Sequence, residues 1–101
     1  AEIDITSIDL PYVPLSNFID KELVDATVES QTTIIVDGVT ATKVVYTDIF
    51  SPILVYKNIS VYVAHQSLLY KFYLSYHDGD PLEDSFITDF QQVLDSVQFT
   101  P

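Results

Sequence analysis

Tyr70-Lys71-Phe72-Tyr73-Leu74-Ser75-Tyr76, followed by Asp80-Pro81 and then by the run from Phe86 to Phe99, is the stretch that decides the fold. Tyr70, Phe72, Leu74 and Tyr76 recur at every second position, the period of a strand with one buried face. Phe86, Ile87, Phe90, Val93, Leu94 and Val97 return with helical spacing, while Asp84, Thr88, Gln91, Gln92 and Asp95 fall on the opposite side. Asp80 is placed to cap this helix, with Pro81 as its first residue and Glu83 as the reciprocal acid of a capping box. An aromatic strand followed by an amphipathic helix calls for a helix lying on a sheet.

Working outward, Ile59, Val61 and Val63 alternate in the preceding run, Ile53 to His65. They share a face with Tyr70, Phe72 and Leu74 if His65 stands opposite Leu68, with Gln66-Ser67 as the loop. A slip of one residue would set Lys71 against Val61 and turn half of the apolar set outward. Further upstream, Val28–Val36 and Val39–Thr47 are β-branched runs separated by Asp37-Gly38, a strong two-residue hairpin signal. That loop predicts Val36 opposite Val39, Ile34 opposite Ala41 and Glu29 opposite Tyr46. At the start, Ile3 and Ile5 alternate with Glu2, Asp4 and Thr6 as in a half-buried strand, which Pro11 and Pro14 end. Ser16 is positioned to cap a short helix whose apolar face is Leu15, Phe18, Ile19, Leu23 and Ala26. The expected fold is α+β: one domain over residues 1–101, an antiparallel sheet of about five strands with the C-terminal helix packed across one face.

Composition narrows the function classes. Fifteen acids against four lysines, with no arginine, give a net charge of −11. Nucleic-acid binding draws most of its affinity from basic residues that neutralise phosphate, so that class is set aside, as is an anionic membrane surface. The longest apolar runs are four residues (Ile53–Tyr56, Val61–Ala64), whereas a membrane-spanning helix needs about 20. Cysteine is absent, which removes thiol chemistry, and two glycines cannot build a glycine-rich phosphate loop. Ala1 is not an initiator methionine, so a targeting segment has been removed or the chain is an excised domain.

Gly38-Val39-Thr40-Ala41, Tyr46-Thr47, Tyr70 to Tyr76 and Asp95-Ser96-Val97-Gln98-Phe99, in that order and spacing, resemble the PsbP-like family over roughly residues 16 to 100. The resemblance implies an antiparallel sheet with helices packed on it and carries no activity with it. The family usually opens with a further aromatic-rich hairpin not seen in this sequence, so the resemblance implies a trimmed or divergent member. Photosynthetic members dock through basic residues; Lys21, Lys43, Lys57 and Lys71 cannot supply such a surface. The exported and lipoprotein-linked relatives of bacteria and archaea fit better. The expectation is therefore a non-catalytic, extracytoplasmic module, mainly monomeric at neutral pH, that binds a protein partner or stabilises an assembly.

The alternative is a carrier of a divalent metal or small ligand. Asp78, Asp80, Glu83 and Asp84 place four carboxylates in seven residues, and calcium takes six to eight oxygens. The EF-hand pattern is missing, and helix capping competes for Asp80 and Glu83. No other cofactor is indicated. His65 and His77 sit at opposite ends of one strand, roughly 30 Å apart at about 3.3 Å per residue, and read as separate surface residues. Tyr62 and Tyr73 fall nearly across from each other on the sheet face away from the main core. They are candidates for a partner-binding platform unless the first helix covers them. Asn58-Ile59-Ser60 is a glycosylation sequon inside a predicted strand.

Overall fold

The computed structural model describes residues 1–99, so Thr100, the last position of the resemblance above, lies outside the described residues. The chain runs β1 (Glu2–Asp9), α1 (Leu15–Glu22), β2 (Thr27–Val36), β3 (Val39–Ser51), β4 (Leu54–His65), β5 (Leu68–His77) and α2 (Glu83–Asp95). All five strands form one antiparallel sheet in the order β1-β5-β4-β3-β2, leaving β1 and β2 as its edges.

Turn chemistry sets the β2–β3 register. Asp37 and Gly38 both have positive φ, 48° and 77°, as a mirror-image two-residue turn requires. Val36 pairs with Val39 and Ile34 with Ala41 as expected, but Glu29 does not meet Tyr46. A bulge between Val28 and Ser30 sets Val28 opposite Tyr46, an extra residue that shifts the rest of the strand by one. Glu29 instead accepts a hydrogen bond from Thr47 Oγ1 (3.1 Å) and pairs with Lys57 Nζ (3.4 Å).

The β4–β5 register follows the apolar alternation. Ile59 pairs with Leu74, Val61 with Phe72, Val63 with Tyr70 and His65 with Leu68. Gln66 takes φ of 56° to close this turn, a conformation uncommon outside glycine and asparagine. Ile59, Val61, Val63, Phe72, Leu74 and Tyr76 then form one buried layer with Phe90 and Leu94 of α2. Phe86, Val93, Val97 and Phe99 pack against its margin. The Phe99 ring lies 4.6 Å from that of His65 and 5.3 Å from that of Tyr70, and its N–H donates to Asp37 Oδ2 (2.7 Å). The tail thereby ties the two hairpin turns at one end of the sheet to α2.

Both helix starts differ from expectation. Helix α1 begins at Leu15 directly after Pro14, so Ser16 is its second residue and makes no cap. The expected capping box is absent as well, since α2 begins at Glu83. Asp80 Oδ1 accepts the N–H of Leu82 (2.9 Å), holding the turn that leads into the helix. Glu83 Oε1 accepts the hydroxyl of Tyr76 (2.9 Å), so its carboxylate is drawn onto the sheet and away from the helix start.

Candidate functional site

Length decides how much of the second sheet face is covered. Alternation sends Val44, Tyr46 and Tyr62, with Leu69 of β5, to the face away from α2, where they pack against Ile19 and Leu23 with Leu15, Phe18 and Ala26 beside them. Helix α1 has eight residues and spans about 12 Å, whereas β3 to β5 run for ten or more residues, about 33 Å or longer. One end of the face lies under the helix. The other end is open.

The covered end contains Tyr62, one of the two tyrosines expected to form a platform. It has no exposed surface; Phe18 meets its ring edge-on at 6.5 Å and its hydroxyl donates to Glu22 Oε1 (2.8 Å). Lys71 pairs with the same carboxylate and sets its ammonium over the rings of Tyr62 and Tyr73, 5.8 and 5.2 Å from their centroids. Tyr62 is therefore an anchor for α1 and not a docking surface. Burial disfavours ionisation of Tyr46 and Tyr62 in this layer. It pushes the Tyr46 hydroxyl, paired with Ser60 Oγ at 3.0 Å, up to about 12. Tyr62 is raised further by burial and by its bond to Glu22, and Tyr76 on the other face by burial and Glu83.

The open end is built on Asn58. This side chain is completely buried, donates Nδ2–H to Asp48 Oδ2 (3.0 Å) and accepts the Tyr73 hydroxyl at Oδ1 (3.0 Å). The network satisfies a buried amide from both sides and leaves the sequon asparagine inaccessible in the folded chain. Above it, Phe50 meets Tyr56 edge-on at 5.7 Å, and Tyr56 lies 4.8 Å from His77. Two adjoining cavities, about 250 and 300 Å³, share Glu2, Tyr56 and Ser75 as walls. Asp48, Phe50, Asn58 and Tyr73 complete the first, and Ala1, Tyr76, His77 and Asp80 complete the second. Asp4, opposite Tyr73 on β1, shares a hydrogen bond with Glu2. That bond and the Asp4 charge hold the Glu2 carboxyl above its usual range.

Of the residues expected from the sequence, this groove retains Tyr73, which is half-buried, and Asp80 at one end. Asp48 and Phe50 fall beyond the expected end of their strand at Thr47, and Tyr56, inside the expected Ile53–His65 strand, carried no sequence signal of its own. In fact β3 and β4 pair out to Ser51 and Leu54, with a bulge between Ile49 and Ser51. The signal was the continued alternation of Tyr46, Asp48 and Phe50. Of the four carboxylates at 78–84, Asp80 and Glu83 hold the bonds described above, while Asp78 and Asp84 are exposed. Among the described residues no three His, Asp or Glu side chains converge as a metal site would need, and no helix is long and apolar enough to cross a membrane.

No family model and no curated protein matches the sequence. Among solved structures, the fold is similar to that of PA94 from Pseudomonas aeruginosa, a protein of unknown function suggested to be a regulator. The TM-score is 0.71 at 12% identity, covering all of this chain and 86% of that one. The likeness is one of fold.

Proposed function

We propose that the chain is a non-catalytic protein-binding module of the PsbP-like kind, working outside the cytoplasm, and that its partner docks on the groove at the open end of the α1 face. The observation that carries this reading is the half-covered sheet. Phe50 is 68% exposed beside Tyr56, on a floor whose polar groups are already paired. Exposed aromatic rings on a rigid, internally satisfied base are the anchors that protein interfaces favour. The order of turn, aromatic strand, helix and closing Ser96-Val97-Gln98-Phe99 supports the family attribution.

Site-directed photo-cross-linking in the source cells tests the proposal. Benzoylphenylalanine in place of Phe50 should yield one discrete adduct, lost when Tyr56→Ala is added. The same group in place of Ile35, exposed on the far edge strand, should yield none. An adduct from position 35 and not from position 50 would place the docking surface elsewhere.

A further inference from the structure

We infer that the groove accepts a lysine or arginine side chain presented by an exposed basic segment of another protein; this rests on the partner-binding reading above. Three independent features converge on a cation. The first is the ring arrangement, in which Phe50, Tyr56 and Tyr73 border one cavity and Tyr56 and His77 its neighbour, with Tyr56 common to both. Aromatic faces attract an ammonium or guanidinium through their quadrupole, most strongly where water is partly excluded.

The second is what the protein does with its own cation next to the groove. Lys71 lies 5.2 Å from the centroid of Tyr73 and is held there by Glu22. An ammonium over a tyrosine with a carboxylate beyond it is thus already formed on this sheet face. The groove repeats the ingredients with no lysine in the walls of either cavity, the positive Ala1 amino group standing at one end beside Glu2.

The third is charge. Asp48 is half-buried in the wall, and Glu2 and Asp4 lie two residues apart on the edge strand, where their shared hydrogen bond and then their mutual repulsion hold the Glu2 carboxyl above its usual range. A cation between them would relieve that repulsion. The net charge of −11 adds long-range attraction for a basic partner. A neutral apolar partner would leave the Asp48 charge desolvated with only its hydrogen bond from Asn58 to offset it, which disfavours such a partner.

The test uses the whole chain, isotope-labelled for NMR, and two synthetic peptides: one of alternating lysine and serine, the other with glutamine in place of each lysine. The lysine peptide should shift the amides of Asp48, Phe50, Tyr56, Tyr73 and Ser75, and the glutamine peptide should bind at least about tenfold more weakly. Tyr56→Leu should weaken the lysine peptide about fivefold or more, as should Glu2→Gln with Asp4→Asn, which alters only the exposed edge strand. Asp89→Asn, on the exposed side of α2, should leave binding unchanged. Shifts spread over the whole acidic surface, or indifference to Tyr56→Leu and to the edge-strand pair, would overturn the inference. Equal binding of both peptides in the groove would overturn cation selectivity while leaving the partner-binding reading standing. No response to the lysine peptide would also overturn it, with cross-linking from position 50 remaining the separate measure of that reading.

Discussion

Three tyrosines have their folded-state ionisation suppressed by burial, and each links proton release to unfolding. An unfolded tyrosine titrates near 10, whereas Tyr46 holds its proton to about 12 and Tyr62 and Tyr76 hold theirs longer. Between those limits the unfolded chain binds fewer protons than the folded one, so stability falls as pH rises. Below pH ~10 their contribution is fully present; above it each such tyrosine removes up to about 1.4 kcal/mol per pH unit. Denaturant titrations at pH 9, 10 and 11 (roughly bracketing the reference value) should show this decline, and a flat profile would contradict the buried placement. Tyr62→Phe should cost about 1.5–3 kcal/mol, the range for a hydrogen bond to a charged group. It should also loosen α1, which hydrogen exchange in residues 15–22 would report. Asn58→Ala leaves the Tyr73 hydroxyl and Asp48 without their partner, an expected loss of about 1–3 kcal/mol in a chemical melt.

At the scale of elements, α2 is the main cover of the larger core layer. Phe90 is 3% exposed among Ile59, Val61, Phe72 and Leu74. Phe90→Ala should therefore cost about 3–5 kcal/mol, the range for a large aromatic removed from a packed site. A loss under 1 kcal/mol (roughly the cost of a surface change) would mean that the helix does not pack as described. The register behind this core was legible in the sequence, because strand alternation and the Asp37-Gly38 turn are local signals that agree with each other. Ends of elements were less legible. Asp80, Pro81 and Glu83 fit a capping box by spacing, but the Tyr76 hydroxyl, seven residues upstream, competes for the Glu83 carboxylate. The groove was half legible: alternation placed Tyr73 on the correct face, yet could not show how far an eight-residue helix would reach along it. Tyr62 and Tyr73 looked equivalent for that reason, and one proved buried.

For the whole molecule, charge governs association. Both sheet edges carry unpaired backbone groups, and β1 adds Glu2, Asp4 and Asp9 to its edge. Like charges on such an edge oppose strand-to-strand pairing. The protein should be mainly monomeric at pH 7 in low salt and should associate as pH falls toward its isoelectric point of about 4.1. Light scattering across that interval checks this, and a stable edge-to-edge dimer at neutral pH would contradict it. Calcium offers a second check, because a ligand that binds only the folded state raises the melting midpoint. With Asp80 and Glu83 already engaged by Leu82 and Tyr76, millimolar calcium should leave that midpoint unchanged. Helix α1 covers one end of its sheet face and leaves the other open, and side-chain NMR with a soluble paramagnetic probe tests this most directly. Phe50 and Tyr56 should relax strongly while Tyr62 and Val44 stay protected; a relaxed Tyr62 or a protected Phe50 would mean that the groove does not exist as described.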